Sequence, residues 1–291
     1  MNDSWDILER ACAIAGIDAT GARLLRAGSN AVYRLKAPVI ARVSRPGAST
    51  ADVRRTVAVA RWLQSVGYPA VRVVDAGQPV VTGGRIVTFW EAVSDDGDQY
   101  ASLAEVAEIL VKLHQLTAPD DLHLPALSPF ANAPQRIEAN TWLNPQDRAF
   151  LTAMLAQMRA LYAGLEFTLP PGVIHGDASI GNVLRDDRSH PVVIDLDGFA
   201  AAPREWDLAL TAIYYDSFGW HARDDYADFV RVYGYDIMTW AGYPAMRAVR
   251  EFLMVTWVIQ KAAESGQAAA EAAKRIAALR TGASRQDWQP Y

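Results

Sequence analysis

Cysteine, histidine and excess positive charge are all scarce in this sequence. Cys12 is the single cysteine, so no internal disulfide can form and a reducing compartment, the cytoplasm, is expected. The five histidines lack the H-x-x-x-H type of spacing that binds zinc. Acidic residues outnumber lysine and arginine by 33 to 28, which gives a net charge of -5, so a nucleic acid is not expected as the partner.

Long apolar runs are also missing. The longest candidate for a membrane span, LMVTWVI at 253–259, falls far short of the roughly 20 residues that a spanning helix needs. The N-terminus, MNDSWDILERACAIAG, lacks the basic start and apolar run of an export signal. We therefore expect a soluble protein with no membrane partner. Its 51% hydrophobic and 21% charged residues are ordinary for a folded chain, and 291 residues suit one large domain or two lobes.

The residue patterns divide the chain into a strand-rich beginning and a helix-rich remainder. After a short amphipathic helix at 5–15, strand patterns cover 24–28, 31–36, 39–44, 70–77 and 85–93, and a helix covers 49–66. Further helices are predicted at 103–116, 144–164, 204–216, 223–233 and 244–280, with an irregular, proline-rich connection at 117–135. A small sheet with one helix is therefore expected before a mainly helical part.

Two short apolar runs end at carboxylates. VIHGDASIGNVL carries Asp177 and, five residues later, Asn182, and VVIDLDG carries Asp195 and Asp197. Phosphoryl transfer to a hydroxyl requires a carboxylate that accepts the proton, together with oxygen ligands for Mg²⁺. The order and spacing of these residues are typical of the protein-kinase catalytic pattern. The alternative is that Asp177 and Asn182 are ordinary turn residues.

Together with PREWDLAL at 203–210, these motifs resemble the aminoglycoside phosphotransferase family, a kinase-like group that acts on small molecules. The resemblance implies that Asp177 is the catalytic base and that Asn182 and Asp195 hold Mg²⁺. It also implies ATP or GTP as the co-substrate and a hydroxyl of a small molecule as the acceptor.

The same resemblance implies a bilobal, protein-kinase-like α+β fold. Its N-lobe, residues 1–92, would be a small antiparallel sheet with one helix that binds the nucleotide. Its C-lobe, residues 93–291, would be mainly helical and would carry the catalytic and metal loops. Asp197 would assist at the metal or the substrate, with a turn-forming role as the alternative. His175 and Asp207 would be structural, Asp207 through hydrogen bonds to the catalytic loop.

The resemblance also suggests how the N-terminal part binds a nucleotide. GSNAVYRL would form the hairpin over the phosphates, VIARV would supply a cation for them and an apolar side chain over the adenine, and VTFWEAV would offer backbone groups to the purine. The alternatives are an ordinary hairpin turn, an exposed strand arginine and buried aromatic residues. The residues assigned to these parts are Ser29, Asn30, Ile40, Arg42, Trp90 and Ala92.

The helix expected to face that cation lacks one residue. In protein kinases it carries a Glu that pairs with the phosphate-binding cation, whereas STADVRRTVAVARWLQSVG contains none. Thr56 lies near the expected position, and Asp52 is the only acid of this stretch. Arg42 is therefore expected to pair with Asp52, with Asp195, or with nothing but the phosphate.

Acidic and aromatic residues suggest the class of acceptor. EAVSDDGD contains Asp95, Asp96 and Asp98, and the segment 214–236 has five acids, Asp216 among them, between many aromatic residues. This composition suits a cationic hydroxyl compound, such as an antibiotic or amino sugar, although a solvated charged face is the alternative. Three other functions share the motifs: a metabolic kinase of a sugar, choline-like or amino alcohol, a peptide or protein kinase, and a catalytically weak nucleotide-binding regulator.

Overall fold

The computed structural model describes residues 3–28, 30–94 and 99–290, which divide into two compact units. The first unit is Met1–Leu124 with Ile180–Phe199, and the second is Pro125–Ser179 with Ala200–Tyr291. Within the described ranges, no helix has both the length and the apolar character needed to cross a membrane. Each unit combines segments that are distant in sequence, because the chain passes between the two units three times.

The first unit contains a five-stranded antiparallel sheet. Its strands are β1 (Arg23–Ala27), β2 (Asn30–Arg34), β3 (Val39–Ser44), β4 (Val80–Thr82) and β5 (Arg85–Glu91). They lie in the order β1-β2-β3-β5-β4, so the short β4 is an edge strand and β3 lies in the middle. This sheet confirms the predicted antiparallel β region at the start of an α+β chain.

The sheet is covered by the first helix, α1 (Asp3–Ala15). Leu8 and Cys12 of α1 are buried in one apolar cluster with Ala41 and Val43 of the sheet. Since side chains alternate along a strand, Ala41 and Val43 bury one face of β3, and Arg42, between them, lies on the opposite face. Burial also raises the pKa of the Cys12 thiol to about 11, so this thiol is neutral and packs as an apolar group.

The second helix, α2 (Thr50–Ser65), begins and ends as the sequence predicts. The Ser49 side chain accepts a hydrogen bond from the backbone N–H of Asp52, which satisfies one of the unpaired amides of the first turn. After the helix, Gly67 has φ of +69°, a conformation that favours glycine. Thr56 is buried on this helix, together with the apolar residues of its inner face.

Helix α3 (Leu103–His114) and a short hairpin complete the first unit. The hairpin pairs β7 (Val183–Arg185) with β8 (Pro191–Val193). Ser102 and Glu105 form a capping box at the start of α3. Glu105 also accepts hydrogen bonds from Arg185, at 3.2 Å from Nε and 2.5 Å from Nη2, so that one carboxylate holds both the helix start and the hairpin.

The second unit is mainly helical. Its elements are α4 (Ala133–Glu138), α5 (Pro145–Ala163), α6 (Glu205–Asp216), α7 (Arg223–Tyr233), α8 (Tyr243–Val258) and α9 (Gly266–Thr281), with β6 (Gly172–Ile174) paired to β9 (Ala200–Ala202). Near the end of the chain, Trp288 is fully buried. It stacks on Phe218 with 5.3 Å between ring centroids, and the Arg275 guanidinium lies 4.8 Å from its ring.

The predicted strand at 70–77 is wrong. Ala70 and Val73 form isolated bridges to Val193 and Trp90, and the fourth strand of the sheet is β4 instead. This valine-rich stretch does not form one ladder with a neighbouring strand but makes single backbone hydrogen bonds to two different elements. One of them runs from Val74 N–H to Phe89 O, at 3.0 Å.

Two helix predictions also require correction. The predicted helix 244–280 is two helices, because α8 is followed by a short 3₁₀ turn at Ile259–Lys261 and Ser265 then caps the start of α9. The connection 117–135 was predicted to be irregular, but Pro134 occupies the first turn of the short helix α4, where its missing N–H costs nothing.

The two compact units differ from the predicted lobes. The first compact unit contains residues 93–124 and 180–199 together with the N-terminal sheet, whereas the prediction places these residues in the C-terminal lobe. The functional division into a nucleotide-binding part, 1–92, and a catalytic part, 93–291, stays a prediction.

Candidate active site

Strand β3 presents Arg42 to two acids of the loop after β8. Arg42 Nη2 lies 2.6 Å from Asp197 Oδ2 and 3.3 Å from Asp195 Oδ1. Burial disfavours the charged guanidinium, but the two carboxylates outweigh this effect and hold the Arg42 pKa above its usual range. We call Arg42, Thr56, Asp195 and Asp197 the cation cluster, and all four belong to the first unit.

Helix α2 contributes a hydroxyl to the cation cluster. Thr56 Oγ1 donates to Asp197 Oδ1 at 3.1 Å and also contacts the backbone O of Asp52 at 3.2 Å. The Asp52 carboxylate pairs instead with Arg55 on the same helix. Of the partners left open for Arg42, Asp195 is therefore correct and Asp52 is wrong, and Asp197 is a second partner that the sequence did not suggest.

The β7–β8 hairpin brings the backbone segments of the two expected metal ligands close together in the first unit. Ile194 donates its backbone N–H to the backbone O of Asn182 at 2.9 Å, which extends the ladder by one residue pair. Asp195 follows with φ of 58° and ψ of 60°, a left-handed conformation that Asp tolerates better than most residues. An amide and a carboxylate oxygen are ligands that Mg²⁺ accepts, so the donor set fits this ion.

Among the described residues, no group of three or more His, Cys, Asp or Glu side chains has the arrangement of a metal site. A site based on Asn182 and Asp195 does not need such a group. Mg²⁺ commonly keeps several waters and binds through one or two carboxylates plus the phosphates of its substrate.

Asp177 lies in the loop that follows β6. Side chains of the second unit hold this loop through hydrogen bonds to the backbone of the loop. The two oxygens of the buried Asp207 carboxylate accept the N–H groups of His175, at 2.7 Å, and Gly176, at 2.8 Å. Trp206 Nε1 donates to Gly176 O at 2.8 Å, and Gly176 has φ of 86°. His175 Nδ1 in turn accepts the N–H of Asp177 at 3.2 Å. The predicted hydrogen bonds of Asp207 to this loop are thus confirmed, and the structural role of His175 stays a prediction.

Arg250 of α8 is a neighbour of Asp177 that sequence reasoning missed. Its Nη2 lies 4.0 Å from Asp177 Oδ1, and its guanidinium lies 4.2 Å from the centre of the Trp206 ring. The Arg250 side chain is 9% exposed and the Asp177 side chain 63%. Burial lowers the pKa of Arg250, and the charge of Asp177 is the strongest effect that opposes this shift. Burial and the charge of Asp177 also raise the pKa of the nearby Tyr214 phenol to about 12.

The expected nucleotide-binding residues have varied surroundings. Ser29 lies outside the described residues. Asn30 opens β2, and its backbone O accepts the N–H of Gly28 at 3.0 Å. Ile40 is half-buried and pairs across the sheet with Trp90. Their roles at a nucleotide stay predictions.

Two side contacts limit what the end of β5 offers to a purine. Trp90 is buried and its indole donates to Thr88 Oγ1 at 2.8 Å, so its side chain is part of the core, as the alternative interpretation held. Ala92 donates its N–H to Pro38 O at 2.8 Å. A contact of Ala92 with the purine would therefore use its carbonyl, or would replace the bond to Pro38.

Three of the acids proposed for the acceptor have internal partners: Asp216, Asp228 and Asp236. Asp216 Oδ2 lies 2.6 Å from Arg247 Nη1 and 3.3 Å from the Tyr243 hydroxyl. Asp236 accepts from the Tyr226 hydroxyl at 2.7 Å, and Asp228 pairs with Arg231. The expected acids Asp95, Asp96 and Asp98 lie outside the described residues. The role of Asp216 at a substrate stays a prediction.

Comparisons with solved structures identify the fold. The chain is similar to the amicoumacin kinase hAmiN in complex with AMP-PNP, Ca²⁺ and Ami, with a TM-score of 0.74 and 13% identity over 99% of this chain and 96% of that one. It is similar to a microcompartment-associated aminopropanol kinase, with a TM-score of 0.72 and 19% identity over 94% of each chain. A third structure is the spectinomycin phosphotransferase APH(9)-Ia with ADP and spectinomycin, at a TM-score of 0.65 and 14% identity over 95% and 94%. These similarities confirm the predicted kinase-like α+β fold.

Sequence comparison supplies the family. No match is found among curated proteins. The model of the APH group, described as the phosphotransferase enzyme family, matches residues 21–252, which is most of the chain and includes every motif from GSNAVYRL to PREWDLAL. The predicted relationship to aminoglycoside phosphotransferases is confirmed: the chain belongs to the phosphotransferase enzyme family and is an enzyme that transfers a phosphoryl group to a hydroxyl of a small molecule.

Proposed function

We propose that this enzyme transfers the γ-phosphoryl group of ATP, in a Mg²⁺-dependent reaction, to a hydroxyl of a small molecule that carries an amino group. The observation that carries the proposal is the contact between Arg42 and Asp195, at 3.3 Å. It joins a cation suited to the α- and β-phosphates with a carboxylate suited to the metal, as phosphoryl transfer requires.

Each expected residue has one task in this reaction. Asp177 orients the acceptor hydroxyl and accepts its proton as the oxygen attacks the γ-phosphorus, whose bond to the bridging oxygen breaks so that ADP leaves. Asn182 and Asp195 would hold Mg²⁺, which when bound neutralises phosphate charge. Arg42 binds the phosphates through its planar fork of N–H donors. The hydrogen bonds of Asp207 and Trp206 to the loop support Asp177, because they keep the backbone on either side of Gly176 in place.

For the acceptor, we propose a basic antibiotic or amino sugar first and a metabolic amino alcohol second. Similar structures include kinases named for amicoumacin and spectinomycin, which support the first class, and one named for aminopropanol, which supports the second. Resistance to an antibiotic would follow from the first class. The buried, lone thiol of Cys12 agrees with the proposed location in the cytoplasm.

A transfer screen tests this function. The purified chain would be incubated with ATP or GTP and Mg²⁺, and with a panel of aminoglycosides, spectinomycin, amino sugars, aminopropanol, choline and neutral sugars. We expect phosphorylation of at least one amino-bearing acceptor, and removal of Mg²⁺ with EDTA should abolish it. If neutral sugars win clearly, the proposed acceptor class is wrong. If nucleotide binds but no acceptor is phosphorylated, the result supports the alternative of a catalytically weak nucleotide-binding regulator.

Two variants assign the chemistry within that screen. Asp177→Asn and Asp195→Asn should each lower turnover by about 10²-fold to 10⁴-fold, since one removes the general base and the other a metal ligand. Asp187→Asn, on the exposed turn of the β7–β8 hairpin, is the matched control and should leave turnover unchanged. Turnover near that of the parent enzyme in either test variant would contradict the mechanism.

A further inference from the structure

We propose that Asp197, held by Thr56, is the positioning residue that orients Arg42 for the nucleotide phosphates, in place of the helix glutamate of protein kinases. The inference rests on the proposed function of the cation cluster as a phosphate site. It assigns the pairing acid to the loop after β8 rather than to α2.

The geometry of Asp197 supports this role. Its two carboxylate oxygens have different partners: Oδ2 accepts from Arg42 Nη2 at 2.6 Å, and Oδ1 accepts from Thr56 Oγ1 at 3.1 Å. The hydrogen bond from Thr56 to Oδ1 restricts rotation of the carboxylate and so directs the other oxygen, Oδ2, toward the guanidinium. Of the Arg42 contacts to Asp195 and Asp197, the one to Asp197 is the shorter.

Thr56 and the ion pair between Arg42 and Asp197 differ in how deeply they are buried. Thr56 is 6% exposed on the inner face of α2, whereas the Asp197 side chain is 51% exposed and that of Arg42 20%. The threonine therefore acts as a fixed anchor, and the ion pair lies where a ligand has access. A contact to a half-exposed carboxylate adds little to folding, so its value lies in orientation.

The residues of α2 exclude the usual solution. Asp52 pairs with Arg55, and α2 has no glutamate at all. Position 56 carries a threonine, whose hydroxyl contacts Asp197, the acid that pairs with Arg42. In this protein the carboxylate that pairs with Arg42 therefore belongs to the loop after β8 and not to the helix. The Thr56 hydroxyl still links this carboxylate to α2.

The test measures nucleotide affinity on the full-length chain, with and without acceptor. Asp197→Asn should weaken Mg-ATP binding, seen by calorimetry, about tenfold, and should raise the KM for ATP by a similar factor while kcat falls less than threefold. Adding a helix glutamate in Thr56→Glu/Asp197→Asn should recover affinity to within about threefold of the parent. A purely structural role would lower the melting temperature instead and would not be rescued.

Further variants keep the outcome decisive. Thr56→Val is nearly isosteric, so it should fold even if Thr56→Glu does not, and it should weaken Mg-ATP binding twofold to fourfold. Asp187→Asn is the acid-to-amide control and should change nothing. The proposal is overturned if Asp197→Asn and Thr56→Val both bind Mg-ATP like the parent. It is also overturned if Asp197→Asn chiefly raises the Mg²⁺ concentration needed for half-maximal activity, since Asp197 would then be a metal ligand.

These readouts separate the inference from the proposed function. If the parent chain binds Mg-ATP but phosphorylates no acceptor, the proposed function fails while calorimetry of the variants still decides the role of Asp197. If the parent chain does not bind Mg-ATP, both fail.

Discussion

The cation cluster and the Asp177 loop are held in place by different kinds of interaction. In the cluster, charged side chains contact each other directly, and the acids Asp195 and Asp197 keep 40% and 51% of their side-chain surface exposed. In the loop, the buried carboxylate of Asp207 binds backbone N–H groups, and Asp177 itself is positioned without being covered.

The difference suits the tasks proposed for the two regions. Ion pairs whose carboxylates stay half-exposed add little to folding, so the cluster remains accessible to phosphate and metal. Backbone amides bound to a buried carboxylate are costly to release, so the loop keeps its geometry. One region is built to receive ligands and the other to hold a single reacting group.

The largest expected effect comes from disrupting the hydrogen bonds of Asp207 that hold the Asp177 loop. In Asp207→Asn, one of the two accepting oxygens becomes an NH₂ group that faces a backbone N–H, so a buried amide loses its acceptor. We expect the free energy of unfolding to fall by about 3 kcal/mol. Urea unfolding followed by circular dichroism measures this change. A loss below 1 kcal/mol would show that the hydrogen bonds to His175 and Gly176 matter less than the geometry indicates.

An intermediate effect tests the support of Asp177 from α8. Arg250→Met removes the guanidinium that lies 4.0 Å from Asp177 and over Trp206, while it keeps much of the apolar contact. We expect kcat to fall about tenfold, or about 1.4 kcal/mol, with the KM for ATP unchanged. Arg250→Lys should recover part of the loss, because it restores the charge without the planar stacking. Equal kcat in all three proteins would refute the role.

The smallest effect sharpens the comparison by making the same acid-to-amide change in the other region. Asp197→Asn should lower the free energy of unfolding by less than about 1 kcal/mol, because its ion pair with Arg42 is half-exposed. The measurement is urea unfolding under the conditions used for Asp207→Asn. Equal losses for the two variants would mean that the cluster is as rigid as the loop.

Local motifs marked the candidate catalytic and metal-binding residues. Asp177, Asn182 and Asp195 occur in short stretches whose spacing is typical of the kinase catalytic pattern, and their roles stay predictions. The antiparallel sheet followed from the alternating pattern of the strands near the N-terminus. Ser265 and Gly266 mark the break between α8 and α9, and this turn signal was outweighed by the alanines that follow it.

Contacts between distant residues were not predictable in the same way. The absent glutamate of α2 showed that Arg42 needed another partner, but 155 positions separate it from Asp197, and only the folded first unit brings the two together. Arg250 gave no signal, since a single arginine within an apolar helix usually reaches solvent along its own stem. The strand predicted at 70–77 failed because composition does not reveal whether neighbouring residues pair with one strand or with two elements.

The threonine at position 56 also bears on how this enzyme can be switched. In protein kinases, activation depends on moving a helix so that its glutamate reaches or leaves the phosphate-binding lysine. The same movement of α2 would break the hydrogen bond of Thr56 to Asp197 but would leave both carboxylates of the loop on Arg42. An on–off control of that design has little to act on here, because both carboxylates that pair with Arg42 belong to the loop and not to the helix.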